Sequence, residues 1–380
     1  LARQEHVEAL GRVDQIWPWL KRHHGEVMAV EAPHATHAEQ FSYRELADRI
    51  ERAAAAFVAL GLRSGDVVGL FAENSPRWLV ADQGLMRAGA VAAVRGAAAP
   101  VEELRYILDD CGAVALVVQN AEIWRRLALP PQLHARLRFV LQLEGDAPEG
   151  VLDFEAFLAH ADGQLPPDPD QGRGRESAAT TTATILYTSG TTGQPKGVPL
   201  SHGNLLHQMR SLACVARPEP GTPVLSVLPI WHAYERSAEY YFFSCACSQS
   251  YTTIKQLKRD LPRVKPVVMV TVPRLWEAVQ AGFEDVLKTF PASRQRLLRG
   301  GARQQQCLWP RSPAQPQSAA GAGASTRPAG GPRRSAAALA CPCTRLAPDL
   351  AEAAAPAQWR PAALSDQWRW GDRPPRGCLF

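Results

Sequence analysis

Short apolar runs alternate with amphipathic helical patterns through the first 300 residues, and this alternation constrains the fold more than any other feature. The runs at residues 67–72, 113–118 and 139–143 have the length and composition of buried strands. Ser42 opens an intervening helix and has Glu45 three residues later as its capping-box partner. Further strands are predicted from Thr184 onward and at residues 224–228, 250–254 and 267–272. The pattern predicts an α/β domain with a largely parallel sheet.

The alternation ends near residue 300, where the composition changes. Residues 301–380 contain ten Arg, no Lys and four acidic residues, and 11 of the 31 prolines. They contain no Val, Ile, Met or Tyr, so a strand would have little to pack. Such a segment cannot bury enough apolar surface to offset the entropy of ordering it. We therefore predict a folded domain over residues 1–300 and an Ala/Arg/Pro-rich tail, out of frame or disordered, over residues 301–380.

Two interpretations of the tail stay open. It is either a disordered Arg/Pro-rich segment with a binding role, or the product of translation outside the evolved frame of a GC-rich gene. We favour the second, because such translation yields Ala, Arg, Pro, Gly and Trp. The whole chain has a net charge of +5, but the tail alone contributes +6 and leaves 32 basic against 33 acidic residues before it. The overall charge therefore predicts no nucleic-acid partner and gives no indication of an anionic membrane.

No segment reaches the roughly 18 apolar residues that a bilayer span requires, so no transmembrane segment is predicted. The chain begins at Leu1 rather than Met. We therefore expect the natural N-terminus to lie upstream. Whether a targeting peptide is present is left open.

The most informative stretch is ILYTSGTTGQPKGV at residues 185–198, where a short apolar strand runs into a glycine-rich loop. Gly190 and Gly193 allow the backbone to approach an anion closely, because no Cβ intervenes. Lys196 offers a positive charge for phosphate oxygens. Ser201 and Asn204 mark the start of the next helix, whose N-terminus we expect to add to the positive field. Hydroxyl groups come from four neighbouring side chains: Thr188, Ser189, Thr191 and Thr192.

Two other interpretations of this stretch fit less well. A Thr/Gly/Ser linker rarely places a lysine and a proline beside a buried strand. The phosphate loop of P-loop NTPases requires four residues between its first glycine and a Gly-Lys-Ser/Thr triplet. Here Gln194 and Pro195 separate Gly193 from Lys196, so that spacing is not met.

The loop resembles the signature of the adenylate-forming superfamily, Tyr-Thr-Ser-Gly-Thr-Thr-Gly-x-Pro-Lys-Gly-Val, and residues 187–198 match it throughout. The superfamily includes acyl-CoA synthetases, luciferases and the adenylation domains of peptide synthetases. The resemblance implies that residues 1–300 are an incomplete N-terminal domain of that α/β fold.

A second motif, VLPIWHAYERS, occupies residues 227–237. Its aromatic, imidazole and charged groups suit a pocket wall that admits an apolar acid. Taken alone, His232 is more often a structural histidine, and Trp231 fits core packing as well as it fits a tunnel wall. The stretch resembles the Leu-Pro-x-Trp-His-x-x-Glu-Arg element of long-chain acyl-CoA synthetases. Matches at residues 93–96, 102–108, 239–241, 251–253, 255–260 and 272–277 are most similar to the acyl–acyl-carrier-protein synthetase branch.

The resemblance implies an enzyme that joins a fatty acid to ATP with Mg²⁺, releases pyrophosphate, and passes the acyl group to CoA or acyl carrier protein. Thr188 would help to hold Mg²⁺, and Lys196 would support the loop or its anion. His232 would lie beside the acyl carboxylate, and Trp231 would line or gate the acyl tunnel. The β- and γ-phosphates would be wrapped by Ser189, Gly190, Thr191, Thr192 and Gly193.

The sequence departs from the family beyond residue 296. It contains no Tyr-Gly dipeptide, no Thr-Gly-Asp, and no lysine after Lys288, whereas the family has its adenine, ribose and adenylation-lysine elements there. We therefore expect this chain to lack activity. A non-catalytic nucleotide- or acyl-binding remnant and an interaction protein remain as alternatives. The resemblance leaves a cytoplasmic or plastid location, and peripheral membrane contact, open.

Overall fold

The computed structural model describes residues 2–35, 38–162, 175–188, 194–292 and 294–295. The predicted tail at 301–380 lies outside these residues. Among the described residues, those up to Val272 form one compact unit and those from Pro273 onward belong to a second. The described part of the second unit is essentially one helix, whereas the first carries every described strand.

The secondary structure alternates along the first unit. The helices are α1 (Ala2–Ala9), α2 (Ile16–His24), α3 (Tyr43–Ala59), α4 (Pro76–Arg87), α5 (Val101–Asp110), α6 (Ala121–Leu127), α7 (Pro131–Arg136), α8 (Phe154–Ala159), α9 (Arg175–Thr180), α10 (His202–Leu212), α11 (Ala233–Ser244), α12 (Leu257–Val264) and, in the second unit, α13 (Pro273–Lys288). The strands are β1 (Met28–Ala32), β2 (Glu39–Ser42), β3 (Val67–Phe71), β4 (Val91–Arg95), β5 (Ala115–Val118), β6 (Val140–Gln142), β7 (Thr182–Thr188), β8 (Lys196–Ser201), β9 (Pro223–Ser226), β10 (Ser248–Tyr251) and β11 (Val268–Met269).

The strands form two mixed sheets. The first has the order β6-β5-β3-β4-β7-β8 and is parallel except for β8, which pairs antiparallel with β7. The second has the order β11-β9-β10-β1-β2 and is parallel except for β2. The prediction of an α/β domain with largely parallel strands is confirmed, with two sheets in place of one.

Helix starts follow the capping signals in the sequence. Ser42 accepts a hydrogen bond from the backbone N–H of Glu45, whose side chain bonds back, so the predicted capping box is present. Ser75 caps α4 by accepting a hydrogen bond from the N–H of Trp78, without a capping box, and Pro76 lies in the first turn, where its missing N–H costs nothing. The apolar faces of α3 and α4 are buried in the core that also covers the parallel strands.

The strand order of the first sheet reverses at β3. After β3, the chain returns as β4 on one side of β3 and later as β5 on the other side. In open α/β sheets, a crevice forms at such a reversal, outside the carboxyl ends of the strands. By this rule the crevice lies at the carboxyl end of the sheet, between β3 and β5.

Candidate active site

The strands on either side of the glycine-rich stretch, β7 and β8, pair with each other as the two arms of a β-hairpin. In the register of β7 with β8, Thr188 is opposite Lys196 and Tyr187 is opposite Gly197. Thr188 and Lys196 are both exposed, and within the described chain Lys196 forms no ion pair. The predicted phosphate-binding residues Ser189, Gly190, Thr191, Thr192 and Gly193 lie outside the described residues. The hairpin thus presents a hydroxyl and an unpaired cation at the two ends of the loop.

Tyr187 ties this end of the hairpin to helix α5. Its hydroxyl donates a 2.6 Å hydrogen bond to Oδ2 of Asp110, at the end of α5. Burial, and secondarily the Asp110 carboxylate, raise the pKa of Tyr187, so the phenol stays protonated. A Cβ at Gly197 would lie 3.0 Å from Cζ of Tyr187, so a glycine opposite the ring lets it lie flat against β8.

The N-terminus of α10 lies at the opposite end of β8 from Lys196, which argues against the expectation that it adds to the positive field at the loop. Ser201 and Asn204 do form the capping box of α10. However, β8 intervenes, and Ser201 pairs with Thr182 at the far end of the hairpin from Lys196. At about 3.3 Å per residue, this places the helix start roughly 16 Å from the loop. The field of a helix terminus falls off within its first turn.

The Trp231–His232 turn follows β9 and is clamped by a residue of the other sheet. The Asn74 side chain donates a 2.8 Å hydrogen bond to the carbonyl of Leu228 and accepts a 3.0 Å bond from the N–H of Ile230. Asn74 comes three residues after the end of β3. It therefore joins the carboxyl ends of the two sheets. The sequence motifs assign Asn74 no role; the signal for it is a polar residue soon after a buried strand.

Trp231 packs on Gly96, one residue beyond β4. A Cβ at Gly96 would lie 2.5 Å from Cζ2 of Trp231, so any other residue would displace the indole. The parallel register pairs Val94 of β4 with Leu186 of β7, and two residues later come Gly96, just past β4, and Thr188, the last residue of β7. Thr188 and Trp231 thus lie at the same sheet edge. Residues 93–96 resemble the family in sequence, but that resemblance gives Gly96 no role.

His232 stands at the N-cap of α11, where its side chain makes no capping hydrogen bond. The imidazole is exposed and lies beside Trp231, with ring centroids 6.2 Å apart. Partial desolvation, and secondarily the positive charge of Arg95, lower the pKa of His232. Arg95 itself forms a 2.8 Å ion pair with Glu103. His232 is therefore a neutral, accessible hydrogen-bonding group at pH 7.

A buried ionic network links α11 to the phosphate strand. Arg236 pairs with Asp82 of α4, and both side chains are fully buried. Its guanidinium also donates a 2.8 Å hydrogen bond to the hydroxyl of Thr184 on β7 and a 2.7 Å bond to the Tyr240 hydroxyl. The helix that carries His232 at its start is thereby tied to the strand that ends in Thr188.

Two glutamates of α11 are buried beside this network. Glu235 accepts a hydrogen bond from the Ser226 hydroxyl, and Glu239 accepts one from the Tyr251 hydroxyl. Burial raises the pKa of Glu235 to about 7 and also raises the pKa of Glu239 well above its usual value. One oxygen of each carboxyl has no hydrogen-bond partner in the described structure. Both groups are buried at a cost that falls when they are protonated.

Comparison with known proteins agrees with this architecture. A family model described as "AMP-binding enzyme" matches residues 18–317. The chain is 37% identical over 298 residues to the long-chain-fatty-acid–[acyl-carrier-protein] ligase AEE15, chloroplastic, of Arabidopsis thaliana, covering 75% of this chain and 41% of that protein. It is 32% identical over 239 residues to the long-chain-fatty-acid–CoA ligase FadD15 of Mycobacterium tuberculosis, covering 62% and 39%. The chain thus spans about two fifths of the length of these relatives.

Solved structures share the fold. The N-terminal domain of FACL13 from Mycobacterium tuberculosis matches with a TM-score of 0.59 at 18% identity, covering 70% of this chain and 63% of that one. The long-chain-fatty-acid-CoA ligase FadD1 from Archaeoglobus fulgidus matches with a TM-score of 0.61 at 20% identity, covering 72% and 54%. The two-sheet α/β architecture is therefore that of the N-terminal domain of adenylate-forming enzymes. Because the family match extends over most of the sequence, this chain belongs to the AMP-binding enzymes.

Proposed function

We propose that this chain provides the phosphate- and acyl-binding part of a ligase that activates a long-chain fatty acid with ATP. In this proposal the carboxylate attacks the α-phosphorus of ATP, pyrophosphate leaves, and the acyl group passes from AMP to the thiol of CoA or acyl carrier protein. One observation carries the proposal. The Thr188–Lys196 hairpin end and the Trp231–His232 turn both lie at the carboxyl end of the first sheet.

The hairpin end suits a polyphosphate. A hydroxyl and an unpaired ammonium group offer the hydrogen bonds and charge that phosphate oxygens accept. The residues of the described chain contain no cluster of three or more His, Cys, Asp or Glu that could hold a metal ion. Mg²⁺ is usually held by one or two protein groups together with substrate phosphates, and the Thr188 hydroxyl can serve as one such group. When bound, Mg²⁺ would neutralise phosphate charge; the predicted residues 189–193 would complete the cradle.

The Trp231–His232 turn suits the acyl carboxylate. A neutral imidazole can hydrogen-bond to a carboxylate without forming an ion pair that would weaken its nucleophilicity. Trp231 offers an apolar surface next to it for the first carbons of the chain. Orientation of the carboxylate towards the α-phosphorus would be the main contribution, because proximity and electrostatic stabilisation dominate phosphorus chemistry of this kind.

A non-catalytic nucleotide- or acyl-binding role is the second candidate. It is favoured by the absence of Thr-Gly-Asp, of Tyr-Gly, and of any lysine after Lys288 in the sequence. ATP–pyrophosphate exchange with C12–C18 fatty acids separates the two. We expect no exchange by this chain but measurable binding of a fluorescent ATP analogue. Exchange at an ordinary enzymatic rate would establish catalysis in the chain itself.

Lys196→Gln tests the site in the same binding assay. The lost hydrogen bond between a charged group and phosphate is worth about 1.5 kcal/mol. Binding should therefore weaken roughly tenfold. Lys288→Gln, which removes an exposed lysine of the second unit, should leave affinity unchanged. Equal affinity of the two variants would exclude the hairpin end as the phosphate site.

The thiol acceptor and the compartment are parts of the same proposal. The relatives include one named for acyl carrier protein and one named for CoA, and one is named chloroplastic. Among the described residues, no helix has the length and apolarity needed to cross a bilayer. We propose carrier protein as the acceptor and a plastid location, on the strength of the higher identity to the chloroplastic relative. Acyl transfer from a preformed acyl-adenylate to each acceptor tests the first point.

The tail at 301–380 is proposed to be an out-of-frame product. In that case the underlying DNA, read in the other two frames beyond codon 296, should encode Tyr-Gly-x-Thr-Glu and Thr-Gly-Asp. If neither frame contains them, the tail is a genuine part of the protein. A binding partner that depends on the tail would then support the interaction-protein alternative.

A further inference from the structure

We propose that Arg95 is a second phosphate-binding cation of the site and binds the α-phosphate of ATP, an inference that rests on the function proposed above. Lys196 serves the hairpin end, and Arg95 would serve the space between that end and the Trp231–His232 turn. The resemblance of residues 93–96 to the family gives Arg95 no role.

Arg95 stands between the two parts of the candidate site. It is the last residue of β4, and Gly96, on which Trp231 packs, follows it directly. On the other side, the parallel pairing of β4 with β7, continued by one residue, places Arg95 level with Tyr187, directly before Thr188. Paired strands are about 4.8 Å apart, so the reach of an arginine side chain covers the end of β7.

The charge of Arg95 also acts on His232. After desolvation, this positive charge is the second cause of the lowered pKa of His232, so the two side chains are electrostatic neighbours. In the proposed reaction His232 orients the carboxylate, and Lys196 holds the outer phosphates. The α-phosphate must then lie between these two groups, which is where Arg95 stands. Negative charge builds there as the carboxylate oxygen attacks and pyrophosphate leaves.

The guanidinium of Arg95 is only partly satisfied. It forms a 2.8 Å ion pair with Glu103 of α5, but its Nε–H is buried and has no hydrogen-bond partner in the described structure. Its side chain is 20% exposed, unlike the sealed side chain of Arg236. A buried donor without a partner is costly, and a turn towards phosphate would satisfy it, because the guanidinium fork matches two phosphate oxygens. Glu103 would thus hold Arg95 until an anion replaces it.

An unsatisfied Nε–H is not sufficient by itself, as Arg87 shows. The Nε–H of Arg87 also lacks a hydrogen-bond partner in the part of the chain that the structure describes, and its side chain, 24% exposed, lies 3.9 Å from Asp14. However, Arg87 ends α4, which leads into the amino end of β4. It therefore lies at the opposite end of that strand from Arg95. Position separates the two arginines, and Arg87 is a matched control.

Competition with a fluorescent ATP analogue on the full chain tests the assignment. Arg95→Gln should weaken the binding of ATP and of AMP roughly tenfold each, through loss of a charge-assisted hydrogen bond. It should change pyrophosphate binding by less than about twofold, because pyrophosphate has no α-phosphate. Lys196→Gln should weaken the binding of ATP and pyrophosphate but not that of AMP. Arg87→Gln should leave all three affinities unchanged.

Removal of the partner carboxylate tests the assignment from the opposite direction. Glu103→Gln should strengthen ATP binding about threefold, because Arg95 no longer has an ion pair to break. Glu102→Gln removes the same charge from the neighbouring exposed position, where the described chain shows no ion pair, and should leave ATP binding unchanged. In the double variant with Arg95→Gln, the gain from Glu103→Gln should vanish. Thermal melting of each variant checks that the fold is retained.

Equal ATP affinity of Arg95→Gln and Arg87→Gln would overturn the role of Arg95. A gain from Glu103→Gln that persists in the double variant would do the same, since it would reflect overall charge alone. If Lys196→Gln weakens ATP binding and Arg95→Gln does not, the hairpin end remains the phosphate site and only the role of Arg95 fails. If the parent chain binds no nucleotide, the proposed function fails and the role of Arg95 fails with it.

Discussion

Asn74 is the residue that sets the position of the Trp231–His232 turn. One side-chain amide satisfies a carbonyl and an N–H on that turn, so it fixes both the distance and the orientation between two sheets. No hydrophobic contact could do this, because apolar packing is not directional. The residue acts through the turn and need not touch a ligand itself, so we regard it as a positioning residue.

We predict that Asn74→Ala moves the pKa of His232 upward, towards the ordinary value for histidine. Without the clamp, the imidazole would leave its partly desolvated place near Arg95. NMR titration of the His232 ring measures this directly. Asn120→Ala is the matched control: Asn120 caps α6, so its loss should cost about 1 kcal/mol of stability and leave the His232 pKa unchanged. An unchanged His232 pKa in both variants would remove Asn74 from this role.

Gly96 makes room for Trp231, and a methyl group is enough to test this. We predict that Gly96→Ala lowers the free energy of unfolding by about 1–3 kcal/mol, because the new Cβ overlaps the indole. Gly282→Ala in α13 meets no atom within 4 Å and should be stabilising by about 0.5–1 kcal/mol, as alanine is the better helix former. Urea unfolding compares the two. If Gly96→Ala lowered the free energy of unfolding by no more than a few tenths of a kcal/mol, Trp231 would be free to move aside.

At the scale of elements, the sequence predicted best where a local signal is strong. The capped helices α3 and α4 and the apolar strands β3 and β5 have local patterns that tertiary contacts reinforce. Strand β8 was missed because its residues, KGVPLS, include glycine and proline and show little alternation. It forms because β7 pairs with it as the other arm of a hairpin, and the sequence of β8 taken alone does not show that pairing. Strand β8 also separates the start of α10 from the phosphate loop. No local sequence pattern could reveal this separation.

This separation gives a prediction about α10. Ser201→Ala should destabilise the protein by about 1 kcal/mol through loss of the N-cap, as Ser42→Ala should at α3. Neither variant should change the affinity for an ATP analogue by more than about twofold, since α10 starts at the far end of β8 and a helix field is short-ranged. Equilibrium binding and thermal unfolding of both variants check this. A tenfold loss of affinity in Ser201→Ala alone would show that the N-terminus of α10 contributes to phosphate binding.

For the whole molecule, the buried carboxyls of α11 make stability depend on pH. The pKa of Glu235 is raised from 4.5 to about 7, so the folded protein holds this proton more tightly than the unfolded chain does. The stabilising contribution of the protonated group is complete below about pH 4.5 and is lost as the pH rises through about 7. Glu239 acts in the same direction.

We predict that Glu235→Gln raises the free energy of unfolding at pH near 8 by about 3 kcal/mol, with little difference near pH 4.5. The amide oxygen can still accept the Ser226 hydrogen bond, but the group cannot ionise. Glu122→Gln, at an exposed position of α6, should keep the pH dependence of the parent. Denaturant unfolding across this pH range is the measurement; parallel pH profiles for Glu235→Gln and the parent would contradict the assignment.

Arg236 also determines where α11 stands along its own axis. A slip of one residue would move its guanidinium by about 1.5 Å and rotate it by about 100° away from Asp82 and Thr184. The charge would then be buried without its partner, at a cost of about 3–5 kcal/mol. The helix therefore has a single axial setting, and the height of Trp231 and His232 above the sheet is determined from inside the core. The buried guanidinium of Arg236, which no ligand can reach, thus fixes the positions of two side chains at the surface of the site.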